Sequence, residues 1–477
     1  MVKQGTVYLV GAGPGDKELL TVKGQRLLRE ADVVIFDRLV NPYLLTELKG
    51  DAKIIYCGKQ PCKHLFRQED IQTEMLIHAK KGKVVVRLKG GDPAVFGRVG
   101  EEAAVLKANG VDYEIVPGVT SGTAASMYAG VPVTHRDYSG SFAVVTAHRK
   151  TQDGKPDVQW KSLAESVDSI LFYMGVKQID TIASELIKYG KKKETPVLVI
   201  QWGTYSRQRS VKGTLSTITE KVATHKITNP AMILVGEVIR VREKVAWFES
   251  KPLSGMGMLI PSVSENTEKE TTLLKRHGAD VYTHNLREEK KGQASDSEIE
   301  LALAAGKDQA LVFTNPKSIN SFLQTMGERG LDIRGLHGVL TASNECVQEA
   351  FERLGFQVPL FQERTWLAPL YIGNAKAGPQ PFAAKTLVAM TRLIEEGHIN
   401  AVLCRSRQDV TDVEDFLKET HLYTLCSDLH VFTTSLDVQS HARLLPVKKI
   451  TTVCFEGDEA KLLAGFAGRQ LEVTQER

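Results

Sequence analysis

The sequence predicts an α/β protein of more than one domain, and three observations carry that prediction. At 477 residues the chain is longer than one hydrophobic core ordinarily serves. Short apolar, β-branched runs alternate with longer helical segments, the order of strands and helices that builds a largely parallel sheet with helices on its faces. Each run ends in glycine, proline or charge, so the residues able to do chemistry collect at the carboxyl ends of the strands, where the loops open.

The elements follow in order. VYLV (7–10) is a short strand that runs through a glycine turn into the helix ELLTVKGQRLLREA. ADVVIFDRLV (31–40), KIIYCGK, KVVVRLKGGDP and YEIVPGVT repeat the plan. HRDYSGSFAVVTAH (135–148) starts a second set, continued by SILFYMG, TPVLVIQWGT and NPAMILVGEVI. The first half is therefore read as residues 1–248, in lobes of about 1–134 and 135–248. Pro, Ser and Gly in ESKPLSGMG mark a linker at 249–256. Residues 257–477 are again α/β and repeat internally. LVFTNPKSINSF (311–322) and HVFTTSLDVQSH (430–441) share a strand, a Phe-Thr turn and a helix start, and the helical stretches CVQEAFERLGFQV and EAKLLAGFAGRQLEV follow them.

Composition narrows the function classes. A hydrophobic fraction of 42% and a charged fraction of 25% are those of a globular chain, and a net charge of +4 does not by itself argue for nucleic acid. Six cysteines, Cys57, Cys62, Cys346, Cys404, Cys426 and Cys454, are too scattered for a disulfide framework or a zinc site, so reduced thiols are expected. His135 and His148 have no third ligand nearby, and no metal is expected. The N-terminus lacks the apolar run of a signal peptide, and no stretch approaches the roughly 20 apolar residues of a membrane span. The cytoplasm is the expected compartment, with neither membrane nor nucleic acid as partner.

Gly11-Ala12-Gly13-Pro14-Gly15-Asp16 lies between a strand and a helix, where glycines let backbone approach a ligand. It departs from a dinucleotide fingerprint: its third glycine comes one residue early and Pro14 interrupts the helix start. A purely structural turn explains it equally well in isolation. Five more such segments follow: Asp37-Arg38-Leu39-Val40, Gly58-Lys59, Lys89-Gly90-Gly91-Asp92-Pro93, Pro117 to Ser121, and Gly130 to Arg136. Their convergence on one sheet edge points to a site.

VYLVGAGPGD, the D-R-L-V after the second strand, G-K at 58–59, VVRLKGGDP-x-x-FGR-x-GEE, VPGVTS and THRDY together resemble the uroporphyrinogen-III C-methyltransferases of the tetrapyrrole methylase superfamily. The likeness runs in order across about residues 5–248, through FYMG (172–175), Trp-Gly-Thr at 202–204 and Asn-Pro-Ala at 229–231. It implies a two-lobed tetrapyrrole methylase fold that binds S-adenosylmethionine between the lobes. By resemblance Pro14, Gly90, Gly91, Asp92, Val95, Thr120, Ser121, Met174, Gly203 and Ala231 hold that cofactor; Val95 stands where Ile is frequent. Asp37 matches the family's proton acceptor and Lys59 its proton donor. The implied reaction methylates uroporphyrinogen III at C2 and C7 to give precorrin-2, on the way to sirohaem or cobalamin, in a homodimer paired through this half.

The substrate carries eight carboxylates. Arg38, Arg98, His135 and Arg136 are the candidate partners, with Arg87, Lys89, His148 and Arg149 also available. A methylase for RNA or protein would want a basic stripe with interleaved aromatics, which is absent. The second half resembles, more loosely, uroporphyrinogen-III synthase, a two-lobed α/β fold, and implies a lyase activity that makes the methyltransferase's substrate. Thr314, Asn315, Thr433 and Thr434, in the two Phe-Thr turns, are its candidate carboxylate holders, although strand-end capping suits the same hydroxyls. Ile260-Pro261-Ser262, Asn344-Glu345-Cys346 and Glu456-Gly457-Asp458 depart from that family's pattern, which leaves open a non-catalytic docking domain.

Overall fold

Residues 5–58, 67–147, 157–263, 267–287, 296–314, 316–362, 369–372, 382–453, 455 and 463–466 are described by the computed structural model. Strands β1 (Thr6–Gly11), β2 (Val33–Phe36), β3 (Lys53–Tyr56), β4 (Val85–Lys89) and β5 (Asp112–Val116) form one parallel sheet in the order β3-β2-β4-β1-β5. The chain runs out from β1 to β3, then returns to insert β4 beside β1 before ending at β5. Every residue of β2 and β4 is buried, as expected for central parallel strands covered on both faces. β2 accordingly reads as an unbroken apolar run, whereas β4 carries two cations, Arg87 and Lys89, in its buried stretch.

The second lobe carries β6 (Phe142–Thr146), β7 (Ser169–Tyr173), β8 (Pro196–Gln201), β9 (Arg209–Thr214) and β10 (Ala231–Val235), ordered β6-β7-β10-β8-β9. Here the expected parallel arrangement fails. Only β6 and β7 are parallel, while β10 runs against both β7 and β8, and β9 against β8. The connection 202–208 is too short for a crossover, so β9 has to return antiparallel. The outcome matters for the site: the ends of β7 and β8 and the beginning of β10 share one edge.

Contact density divides the chain into two units, Met1–Leu286 with Ala384–Arg477, and Arg287–Ala383. In the first, β11 (Gly257–Ile260) and β12 (Asp280–Thr283) begin a third sheet. The intervening unit has its own parallel sheet of β13 (Ala310–Phe313), β14 (Val339–Ala342) and β15 (Leu370–Ile372), with β13 central. β16 (Ala401–Cys404), β17 (His430–Thr433) and β18 (Lys449–Thr452) then complete the third sheet, ordered β12-β11-β16-β17-β18 and parallel throughout. Both Phe-Thr stretches run from a strand into a helix, β13 into Pro316–Glu328 and β17 into Leu436–Ala442. Of the two helical stretches placed after them, Glu345–Arg353 forms, its first turn closed by Asn344 accepting from the Val347 amide at 3.1 Å. Most of the other lies outside the described residues.

Among the described residues no helix is long and apolar enough to cross a membrane, and no three His, Cys, Asp or Glu side chains could hold a metal ion. Cys57 is half-buried and Cys404 and Cys426 are buried, all as free thiols. Burial pushes Cys57 up to about 12, so it stays protonated at neutral pH.

Candidate active site

Three glycine turns of the first lobe lock together. Gly13 and Gly91 exchange backbone hydrogen bonds (3.2 and 2.7 Å), and Ala12 donates to the Lys89 carbonyl at 2.8 Å. Asp92 ties in the third turn: one carboxylate oxygen accepts from the Gly118 amide at 2.9 Å, the other from Ala94 at 2.7 Å. A Cβ on Gly118 would stand 2.3 Å from the Gly91 carbonyl, so the turns meet only because side chains are absent. Asp92 is thereby a brace for two loops.

Gly91 differs from its neighbours. Its φ is +69°, a left-handed conformation, yet a Cβ there would meet nothing closer than the Ser121 amide nitrogen at 3.8 Å. The open space lies before the N-terminus of the helix Ser121–Tyr128. Valine would fill it and would also strain the turn, β-branched residues being disfavoured at positive φ. Gly91→Val is expected to weaken S-adenosylmethionine binding by about 100-fold or more, roughly 3 kcal/mol. Calorimetry checks it, and unchanged affinity would remove this turn from the site.

The second lobe meets these turns directly. The Tyr173 hydroxyl, at the end of β7, lies 2.6 Å from Thr120 Oγ1 and accepts from the Gly122 amide. The rings of Phe96 and Tyr173 pack edge to face at 5.4 Å. The Asp16 amide donates to Thr204 Oγ1 at 3.0 Å, and a Cβ on Gly203 would stand 2.3 Å from that of Ala125. Pro14, Gly90, Gly91, Asp92, Val95, Thr120, Ser121, Met174, Gly203 and Ala231 therefore gather on one edge shared by both sheets. None of the ten is fully buried. Backbone strain clusters there too: Phe96, Arg98, Met174, Trp202 and Thr204 all have positive φ, five of the seven non-glycine residues that do so among those described. Such conformations cost about 1–3 kcal/mol each and collect where ligands are clamped.

Asp37 sits at the end of β2, half-buried, and its Oδ1 accepts from Arg87 Nη2 at 2.6 Å. Alternation along β4 puts Arg87 and Lys89 on the same face, toward the helix Val99–Ala108. There the fully buried Glu102 accepts from Arg87 Nε (3.3 Å), from Gln68 (3.0 Å) and twice from Lys89 Nζ (3.0 and 2.9 Å). Arg87 and Lys89, read from sequence as available to substrate carboxylates, are instead buried and paired internally. Burial lowers Lys89, and Arg87 beside it lowers it further, while Glu102 opposes both.

The remaining candidates are scattered more widely. Arg38 is exposed beside Asp37. Arg98 is exposed but doubly bonded to Glu101 (3.0 and 2.6 Å). His135 and the exposed Arg136 lie in a turn closed by Ser139, whose Oγ is 2.7 Å from that of Ser169 at the start of β7. This is the opposite end of the second sheet from Met174. Lys59, His148, Arg149 and Asn315 fall outside the described residues. Thr314 donates to the Ile372 carbonyl, the buried Thr433 hydroxyl meets that of Thr452, and Thr434 donates to the Arg405 carbonyl. Glu102 and Tyr173 had no role assigned from sequence. The signal for Glu102 was its spacing of four from the apolar Leu106 on one helix face.

Residues 6–219 match the family described as Tetrapyrrole (Corrin/Porphyrin) Methylases. A uroporphyrinogen-III C-methyltransferase of Bacillus subtilis (strain 168) is 46% identical over 364 residues, 76% of this chain and 74% of that one. The chain belongs to the uroporphyrinogen-III C-methyltransferases. Another family member, from Priestia megaterium, is 56% identical over 236 residues, 49% of this chain and 98% of its own. The solved uroporphyrin-III C-methyltransferase of Thermus thermophilus, complexed with S-adenosylhomocysteine, is 40% identical, covering 50% of this chain and all of that one with a TM-score of 0.43. The 364 residues shared with the Bacillus subtilis enzyme exceed the 248 of the first half, so that likeness continues into the second.

Beside the site, Asp16, Lys17, Tyr128, Lys275, Asp280 and Tyr282 line a cavity of about 190 Å³. Asp280 accepts from the Ser206 amide at 2.8 Å; burial, helped by Asp16, raises it from 3.8 to about 7. Lys17 lies 3.9 Å from the centre of the Tyr43 ring, and burial, then Lys275, lowers it to about 8. The Asp280 value is higher folded than unfolded, so its contribution to stability is full below about pH 4 and lost as pH rises through about 7. Asp280→Asn keeps an acceptor for Ser206. It is expected to be more stable than the parent by about 1–3 kcal/mol at pH 8 and nearly equal at about pH 4.5. Equal thermal midpoints at both pH values would contradict this.

Proposed function

We propose that the first half transfers methyl groups from S-adenosylmethionine to C2 and C7 of uroporphyrinogen III, giving precorrin-2, and that the second half makes that substrate by cyclising hydroxymethylbilane. The observation that carries the methyltransferase reading is the convergence of ten accessible residues from both lobes on one strained edge, beside the half-buried Asp37. The open space in front of Gly91 and the Ser121 helix start fits a cofactor that needs close backbone approach.

When bound, the cofactor supplies an electrophilic sulfonium methyl, and the pyrrole carbon of the macrocycle is the nucleophile. The carbon–methyl bond forms as the sulfur–methyl bond breaks, leaving a thioether and a macrocycle that must lose a proton. The protein's tasks are therefore to align the two and exclude water. Asp37, oriented by Arg87, takes the proton, and Lys59 returns one as the macrocycle tautomerises. Arg38, the exposed cation next to Asp37, pairs with a substrate carboxylate; Arg98, already bonded to Glu101, and His135 and Arg136, at the far end of the second sheet, are placed less favourably for that role. Phe142 and Val144, exposed on the edge strand β6, support pairing of two copies through this half.

For the second half the support is its build: a parallel sheet interrupted after two strands by a separate parallel unit, the two-lobed plan that the resemblance implies. A docking role is the second reading. The fully buried Ala389, from the helix Ala384–Glu395, joins the hydrophobic cluster of the first lobe with Phe36, Val40 and Leu44. The deciding experiment gives the full chain hydroxymethylbilane and S-adenosylmethionine and follows product mass and absorbance. A doubly methylated type III product supports both activities. Methylation only of pre-formed uroporphyrinogen III keeps the methyltransferase and rejects the synthase; no methylation of either rejects the methyltransferase, and a type I macrocycle instead of type III from hydroxymethylbilane rejects the synthase.

A further inference from the structure

We infer that residues Arg392–His398, in the second half of the chain, are positioning residues for methyl transfer, holding the Asp37 loop of one lobe and the Trp202–Tyr205 loop of the other. This rests on the methyltransferase reading above. The helix Ala384–Glu395 lies on the first lobe as part of its core, through Ala389, and is pinned by Lys385 Nζ donating to the Leu48 carbonyl at 2.8 Å.

At its end the buried Arg392 reaches the site loop. Its guanidinium lies 4.4 Å from the Tyr56 ring centre and 5.3 Å from that of Phe36. Those are the last residues of β3 and β2, and Phe36 directly precedes Asp37. Nη2 of Arg392 donates to the Arg38 carbonyl at 3.0 Å and to Glu396 Oε1 at 2.7 Å. One planar cation thus spans two rings, the backbone beside Asp37 and its own helix, a geometry that suits arginine and not lysine.

Six residues on, the same segment grips the other lobe. The His398 ring packs 4.9 Å from Trp202 and 4.4 Å from Tyr205. The Glu396 carbonyl accepts from Arg207, whose guanidinium lies 4.1 Å from the Trp202 ring centre. His398 Nε2 is 3.5 Å from the Glu396 carboxylate, so Glu396 joins the two grips. The gripped loop contains Gly203 between Trp202 at φ +51° and Thr204 at φ +73°. Such conformations persist only where surrounding contacts over-determine them, and His398, Arg207 and Glu396 supply those contacts. Arg392 and His398 therefore face different parts of the reaction, the proton-transfer loop and the cofactor loop.

The test compares the full-length chain with Arg392→Ala, Arg392→Lys and His398→Ala in steady-state methylation of uroporphyrinogen III. Arg392→Ala is expected to lower kcat by about 10–100-fold with the KM for S-adenosylmethionine within about twofold, since small misplacements of reacting groups cost rate. Arg392→Lys should recover kcat only partly. His398→Ala should do the reverse, raising that KM about tenfold and largely sparing kcat. Loss of thermal stability with kcat and KM unchanged in these variants would overturn the proposal. If Arg392→Ala does not fold, wild-type kcat in Arg392→Lys overturns it equally. Failure of the unmodified chain to methylate would instead count against the methyltransferase reading.

Discussion

Asp37→Ala is expected to lower methyl transfer by about 10²–10⁴-fold, the span that a positioned acid or base contributes, while leaving cofactor affinity unchanged. The fold should survive because Arg87 keeps its second carboxylate, Glu102, and Asp37 itself is only half-buried. Cofactor binding should survive because the ten cofactor candidates come from other turns. Single-turnover methylation, with calorimetric binding of S-adenosylhomocysteine as the control for folding, separates the two. Turnover within about tenfold of the parent would rule out Asp37 as the proton acceptor.

The largest stability effect is expected at Glu102. Its carboxylate has no solvent exposure and serves Arg87, Lys89 and Gln68 together. Glu102→Ala leaves two cations buried with a carboxylate missing, and breaking such a pair costs about 3–5 kcal/mol. The cations then respond differently. Arg87 cannot give up its proton at any pH the protein survives, whereas Lys89, already lowered by burial and by Arg87, can. A group held below its unfolded value gains stability as pH rises, so part of the loss should return between about pH 7 and pH 10. Urea midpoints at the two pH values check both statements. A loss below about 1 kcal/mol at pH 7 would mean that the network is not what holds this helix to β4.

Much of the first half was legible in its residues. The apolar run 33–36 and the Val-Val-Arg-Leu-Lys stretch 85–89 became the buried central strands, and the glycine turns at 11–15, 90–91 and 118 became the interlocked edge. A strand's alternation and a glycine's tolerance of close approach are properties of a few neighbouring residues, so they can be read locally. The antiparallel strands of the second lobe were not legible, because strand direction there follows from the short connection 202–208 and its pairing.

The cations mark the limit most clearly. The resemblance implied a substrate rich in carboxylates and offered Arg38 and Arg98 as its partners, with Arg87 and Lys89 also available, and the structure separates them by burial. Arg87 finds Asp37 across 50 residues, and Arg392 finds the Arg38 carbonyl across 354. By itself the sequence determined which residue types stand at which strand ends, and hence the family and the edge where chemistry is expected. Only the tertiary structure decided which charges are spent on holding that edge together and which still face outward. Desolvation and pairing depend on partners distant in the chain, and a one-dimensional pattern does not contain them.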